Sequence, residues 1–141
     1  MWAAMGAQNC TDSTTGYLKA FAGASGASDS RINDYAWYGD ISAGTTANGK
    51  THQVGLKIAN ELGLYDISGN VWEWCWDWYD SSPPTSSQSD YKGPGSSPDN
   101  VHVVRGGGYD RDANRCTVAI RNDGTPFDRK YNTGFRIVRN K

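Results

Sequence analysis

NELGLYDISGNVWEWCWDWY, residues Asn60 to Tyr79, is the stretch that decides how the rest of the chain is read. From Val71 onward, Trp72, Trp74, Trp76 and Trp78 alternate with Glu73, Cys75 and Asp77. That is the period of an extended strand, whose successive side chains point to opposite faces. The expectation is a core strand with four indoles along one buried face. Just ahead of it, DISGN (Asp66 to Asn70) is turn chemistry, since Gly and Asn tolerate left-handed backbone and Asp bonds locally to main chain.

Toward the C-terminus, residues 81–100 form a Ser/Pro/Gly/Asp loop, and VHVVR (Val101 to Arg105) is a second strand that runs into the triple glycine Gly106 to Gly108. GFRIVR (Gly134 to Arg139) reads as a final strand. Between them, Tyr109 to Thr133 is dense in polar residues, spaced by Ala113, Cys116, Val118, Ala119 and Pro126. Toward the N-terminus, His52 to Leu56 reads as a short strand that follows a tight turn at Asn48-Gly49. DYAWYGD (Asp34 to Asp40) is aromatic and bounded by turn formers, Thr11 to Ser30 has Tyr17, Leu18 and Phe21 as its anchors, and residues 2–7 read as the end of a short helix. There are no repeats.

A chain of 141 residues is one domain's worth, and should bury roughly 68% of the surface its unfolded form exposes. A mean hydropathy of -0.69 is low for a packed core. Six Trp and eight Tyr compensate with large apolar area per residue. Seventeen Gly point to turns and loops rather than long helices. The net charge of -1 gives no whole-molecule attraction to nucleic acid. From Arg105 onward, seven Arg and two Lys face four Asp, a local +5 that leaves residues 1–104 at -6. Two readings of that basic segment stand open: arginines tied into the fold, or a stripe for an acidic partner. Cys10, Cys75 and Cys116 have neither the even count of a disulfide framework nor a metal-ligand spacing, and read as free thiols. No apolar run reaches the roughly 20 residues of a membrane span, so no membrane insertion is expected, and the first residues lack a signal-peptide pattern.

In order and spacing, LGLYDISGNVWEW (Leu62 to Trp74), VVRGGG (Val103 to Gly108), CTVAIR (Cys116 to Arg121) and the closing GFRIVR resemble the formylglycine-generating enzyme family, also called the sulfatase-modifying-factor family. The resemblance runs from about Asp34 to Arg139, with the family's N-terminal portion absent or reduced. It implies an irregular α+β fold of the C-type-lectin-like kind, mostly loop, with residues 1–141 as a single domain. The segment 105–139 then becomes the ligand-facing surface.

Two functions are associated with that fold, and fold alone does not choose between them. The enzymes oxidise a substrate cysteine to formylglycine with a pair of their own cysteines that hold copper. Here RGGGYDRDANRC has Arg111 where the first thiol is expected and Cys116 as the only sulfur nearby. A lone thiol does not make a two-thiolate Cu(I) site, so no catalysis and no copper are expected. The resemblance is stronger to the variable proteins of diversity-generating retroelements. These keep the scaffold words and diversify the positions between them by mutation at adenines of AAC or AAT codons, which never reaches Glu, Gln, Met or Trp. Tyr109, Asp110, Arg111, Asp112, Asn114, Arg115, Ile120, Asn122, Asp123, Gly124, Thr125, Phe127, Asp128, Tyr131 and Asn132 all fall in the reachable set, and Lys130 does not. These fifteen positions are the candidate ligand-binding residues. Turn preference alone also selects Asn, Asp and Gly. Ile120, Phe127 and Tyr131 distinguish the two readings, because apolar and aromatic residues scattered off any core period suit a recognition surface. The alternatives kept open are a formylglycine-generating oxidase and an ordinary noncatalytic structural member of the family.

The resemblance also implies a structural calcium, with Asp66 and Glu73 as carboxylates and carbonyls at Gly69 and Val71. Oxygen donors from a tight turn are what hard Ca²⁺ requires. Asp66 capping the turn and Glu73 pairing with an Arg of the C-terminal segment is the competing reading. The partner implied is an unidentified protein or cell-surface ligand, and display on a cell or virion surface is suggested by the resemblance alone.

Overall fold

A computed structural model describes residues 19–26, 29–39, 47–86, 89, 91–95 and 100–138. The regular elements are a single-turn helix α1 (Ile32–Tyr35) and four strands: β1 (Trp72–Trp78), β2 (His102–Arg105), β3 (Asn122–Gly124) and β4 (Thr133–Gly134). A 3-10 turn at Ala113–Arg115 is the remaining element among the described residues. The strands make one sheet in the order β3-β2-β1-β4. β2 is antiparallel to both β1 and β3, and β4 joins β1 in parallel through Trp72–Thr133 and Glu73–Gly134. The α+β class and the preponderance of loop agree with the sequence.

Residues 66–73 are the hub. Gly69 N–H donates to Gly106 O at 2.8 Å, Asn70 N–H to Trp37 O at 2.7 Å, and Trp72 N–H to Asn132 O at 2.9 Å, while Asn70 O accepts from Tyr109 N–H at 2.9 Å. The side chains do the same work. Ser68 Oγ accepts from Ala22 N–H at 3.0 Å, and Asn70 grips both main-chain groups of His52, accepting from its N–H at 3.0 Å and donating to its carbonyl at 3.2 Å. Asp66, Gly69 and Asn70 all have positive φ, at 54°, 79° and 66°. This explains why the turn is written in Asp, Gly and Asn. At Gly69 a Cβ would also run into the Trp37 carbonyl.

The core is thin and built from Phe21, Trp72, Val103, Val104, Tyr109, Cys116, Val118 and several alanines. Trp72, 3% exposed, is its largest single contribution. At ~25 cal/mol per Å² over a Trp's ~150–250 Å², that burial is worth about 4–6 kcal/mol. Gly107 needs to be glycine for packing: a Cβ there would stand 2.6 Å from Arg115 O and 2.7 Å from Cys116 Sγ.

Three expectations are corrected. The indoles of β1 do not share one buried face, since Trp76 is 86% exposed. Between Trp74 and Trp78 the β1–β2 register shifts, four residues of β1 spanning two of β2, and such an irregularity re-aims side chains. Trp78 instead lies on the His102 ring, centroids 4.0 Å apart. The final strand stops at Gly134, leaving Phe135, Ile137 and Val138 exposed at 74%, 87% and 84%. Residues 52–56 are turn and coil rather than strand. Within the segment 34–40, α1 takes in Asp34 and Tyr35. The Asn48-Gly49 turn is as read, with φ of 49° and 68° and Lys50 N–H closing on Ala47 O at 3.2 Å. The helix at residues 2–7, the anchors Tyr17 and Leu18, and Cys10 lie outside the described residues.

Candidate ligand-binding face

The scaffold of the C-terminal third is fixed by arginines. Arg105 donates to Ile120 O at 3.1 Å, and Arg121 donates to Asp80 O at 2.8 Å with its guanidinium 5.2 Å from the Tyr79 ring. Arg136 spans Glu73, Tyr65 O and Asp66 O. These three hold loops to the sheet. Arg111, Arg115 and Arg129 are exposed, so the basic segment divides between structure and surface.

On that scaffold the polar loops fold mostly on themselves. Arg111 N–H donates to Gly108 O, Arg115 N–H to Asp112 O, Cys116 N–H to Ala113 O and Asp128 N–H to Thr125 O, all within 2.9–3.0 Å. Thr125 Oγ1 closes on Asp128 Oδ2 at 2.8 Å, a bond that holds the Asp128 carboxyl below its usual range, with Lys130 adding to it. Arg111, Asp112, Asn114, Arg115, Asp123 and Asp128 are exposed, as are Phe127 at 82% and Tyr131 at 81%. Asp110, Ile120, Asn122 and Thr125 are half-buried.

Tyr109, Gly124 and Asn132 are corrections to the expectation of a solvent-facing position. Tyr109 is core. Gly124 lies under the Trp74 indole, where a Cβ would sit 2.6 Å from Cη2. Asn132 is buried and makes three bonds: its carbonyl accepts from Trp72 N–H, its amide donates to Asp110 Oδ2 at 2.9 Å, and its Oδ1 accepts from Thr133 Oγ1 at 3.2 Å. Residue type could not reveal this, because Asn is equally common in exposed turns.

Several of the candidates converge. Arg111, Asn122, Asp123, Lys130 and Asn132 surround a cavity of about 90 Å³ floored by Trp72, Trp74 and Val104. Gly124 lines it too, whereas Phe127 and Tyr131 do not, nor do Tyr109, Asp110, Asp112, Asn114, Arg115, Ile120, Thr125 and Asp128. Sequence reasoning set Lys130 apart on codon grounds and placed Trp72 and Trp74 in the core alone. No signal in the sequence marks them as floor and wall of one cavity.

The two thiols among the described residues are both protonated. Cys116 is fully buried, and that burial pushes its thiol up to about 12. Cys75 is half-buried and likewise raised by burial, with Arg105 acting in the opposite direction. Neither is a thiolate at neutral pH.

Asp66, Gly69, Val71 and Glu73 do meet at one cavity of about 440 Å³, which Arg136 also lines. Asp66 Oδ2 accepts from Gly55 N–H at 2.7 Å, while Oδ1 is buried without a hydrogen-bond partner. Glu73 has both oxygens on Arg136, Oε2 at 2.6 Å from Nε and Oε1 against the terminal nitrogen. That contact raises the Arg136 pKa. The guanidinium therefore already neutralises one of the two carboxylates, and Asp66 Oδ1 is the donor atom left open. A calcium ion fits the oxygen chemistry at Asp66 and at the turn carbonyls, and fits Glu73 only in competition with Arg136.

An irregular α+β fold with a short four-stranded sheet, a glycine run packed against the backbone at Arg115 and a polar C-terminal face defines a class of domain. The sequence family narrows it: the profile of the sulfatase-modifying factor enzyme 1-like domain matches residues 6–141, and the chain belongs to that family. The formylglycine-generating enzyme of Streptomyces coelicolor is 42% identical over 85 residues, 56% of this chain and 26% of its own. Among solved structures, Treponema denticola variable protein 1 superposes with a TM-score of 0.75 at 36% identity, covering 95% of this chain and 42% of that one. PvdO from Pseudomonas aeruginosa gives 0.56 at 27% identity over 74% of this chain and 38% of its own. The chain thus spans about a quarter of the length of the enzyme and under half of either solved structure. No helix among the described residues is long and apolar enough to cross a membrane.

Proposed function

We propose that this chain is a noncatalytic ligand-binding domain whose residues between Arg105 and Arg139 form a variable recognition surface, as in the variable proteins of diversity-generating retroelements. The observation that carries the reading is the placement of Phe127 and Tyr131, two large aromatic side chains more than four-fifths exposed on loops tied to a rigid sheet. Aromatic side chains supply contact area at low entropic cost, and loops on a fixed scaffold carry recognition. The likeness to a variable protein over 95% of the chain supports it. Asp110, Arg111, Asp112, Asn114, Arg115, Ile120, Asn122, Asp123, Thr125, Phe127, Asp128 and Tyr131 are the surface positions in this reading, with Tyr109, Gly124 and Asn132 beneath them as support. The partner is a protein or cell-surface ligand.

The neighbouring DNA tests it directly. A near-copy of the region encoding residues 105–139, differing only at adenines and lying beside a reverse transcriptase gene, is the expected result. Its absence would move the assignment to an ordinary structural member of the family.

The oxidase reading is disfavoured by two features: Arg111 stands where the first thiol is needed, and Cys116 is a buried thiol pushed up to about 12. The protein incubated with Cu(I) and a sulfatase-type cysteine peptide should yield no formylglycine by mass spectrometry, and the aldehyde product would overturn this part of the proposal. Calcium, if it binds, is structural, held by Asp66 and the carbonyls of Gly69 and Val71, with Glu73 joining when Arg136 releases it.

A further inference from the structure

The small cavity between the variable loops has an uneven supply of hydrogen-bonding groups. Arg111 Nε lies 3.7 Å from Asp110 Oδ1, beyond hydrogen-bonding distance. Its two terminal nitrogens, which carry four of the five guanidinium donors, have no acceptor recorded among the described residues. Lys130 has three donors, and Asp128 Oδ2 stands 3.3 Å away, long for a charge-assisted bond. Asp110 Oδ1 is buried without a hydrogen-bond partner and meets part of the Arg111 charge, while the half-exposed Asp128 holds Lys130 only weakly. Asn132 Nδ2 donates to Asp110 and its Oδ1 accepts from Thr133. Asp123 is the single acidic side chain on the cavity wall. The floor is indole, a surface suited to methylene groups.

The size limits the occupant. About 90 Å³ holds a few waters or one short side chain. Surplus donors of positive charge call for a group that only accepts. A dianionic phosphate would bring a second charge against Asp123, and an ammonium would face two cations. We propose that the cavity is an anchor subsite for a single carboxylate of a protein ligand, with its methylenes on Trp74 and its oxygens on Arg111 and Lys130. The carboxylate belongs either to a Glu or Asp side chain or to a chain terminus. This rests on the reading of these loops as the ligand-binding face.

The test is an NMR titration of the whole chain, following the tryptophan indole N–H resonances. N-acetyl-glutamate amide should shift the Trp74 indole saturably at millimolar concentration, and N-acetyl-glutamine amide, identical except for the charge, should bind at least about tenfold more weakly. N-acetyl-alanine, which carries only a terminal carboxylate, separates the two sources: shifts from both probes assign a general carboxylate subsite, and shifts from one assign that source. Arg111→Ser and Lys130→Ser should each weaken the glutamate probe about fivefold or more. Asp123→Asn should strengthen it, a gain that unfolding cannot imitate. Equal response to the glutamine probe, or no shift with either carboxylate, overturns the proposal. A failed titration beside an adenine-variant near-copy in the DNA would retire the carboxylate subsite alone. A successful one without that near-copy would retire the variable-surface reading and leave the subsite standing.

Discussion

Residues 66–73 and residues 110–131 use their main-chain groups in opposite ways. In the first, donors and acceptors reach partners far along the chain, at positions 37, 106, 109 and 132. In the second, outside β3, most bonds close within three residues, as in Arg115 to Asp112 and Asp128 to Thr125. One segment is written by the fold and the other is written on it. A substitution in the hub breaks contacts between several segments at once, whereas one in the loops disturbs a turn that largely satisfies itself. This division is what a scaffold needs if its surface is to change while its core does not.

The largest effect should come from Trp72→Ala. The indole is buried against a core with few other large side chains, and truncation should cost about 3–5 kcal/mol, partly as transfer and partly as an unfilled cavity. Chemical denaturation reads this as a fall in midpoint at constant slope. Phe135→Ala, by contrast, should cost little, since that ring is largely exposed. A large loss there would mean that the C-terminal segment packs more tightly than its exposure allows.

How much of this was legible follows from what each signal measures. The alternation in β1 and the apolar run of β2 located the central strands, because period-2 patterning reports strand character directly. The Asn-Gly turn was readable for the same local reason. The register shift that accompanies the exposure of Trp76 was not, since period-2 patterning reports extended backbone and not the register in which it pairs. GFRIVR has a strand's alternation yet pairs only at its Gly134 end: a strand needs a partner, and the sequence does not say where the partner ends. α1 is a single turn, too short for helical periodicity to register. Of the fifteen candidate positions, eight are exposed and four half-buried, as polar loop residues usually are. Residue type failed at Asn132 and Tyr109, where depth is set by their bonds to Trp72 and Asn70.

A middle-sized effect concerns calcium at the hub. With the ion at 100 times its dissociation constant the fold should gain about 2.7 kcal/mol. Calorimetry with and without chelator measures it, and at one fixed calcium concentration Arg136→Gln should increase the gain, because freeing Glu73 lowers the dissociation constant. An unchanged melting temperature in both proteins would remove calcium and leave Arg136 as the cation of the hub. A comparable cost, of about 1–3 kcal/mol, is expected for Gly124→Ala, because its Cβ would overlap the Trp74 ring and force repacking. That result would place a boundary inside the segment 105–139, with position 124 belonging to the scaffold. A neutral Gly124→Ala would return it to the surface.

The smallest expected effect is the most informative. Phe127 and Tyr131 are large and apolar, so in a core each would cost several kcal/mol to truncate. Exposed at 82% and 81%, they should each change stability by no more than about 0.5 kcal/mol when replaced by Ser, the range of ordinary surface sites. Arg111→Ser, Asp112→Ser and Asp123→Ser should behave alike. If these loops are a recognition surface, binding will show the reverse ranking, with losses concentrated at Phe127, Tyr131 and Arg111, because aromatic and arginine side chains dominate interface energetics. The measurement is a pair of numbers for each variant, a denaturation midpoint and an affinity for a ligand selected from a display library. Should Phe127→Ser or Tyr131→Ser unfold the chain, the two rings would belong to the hub's side of the comparison. The polar loops would then have no anchors, and the recognition reading would fail on stability alone.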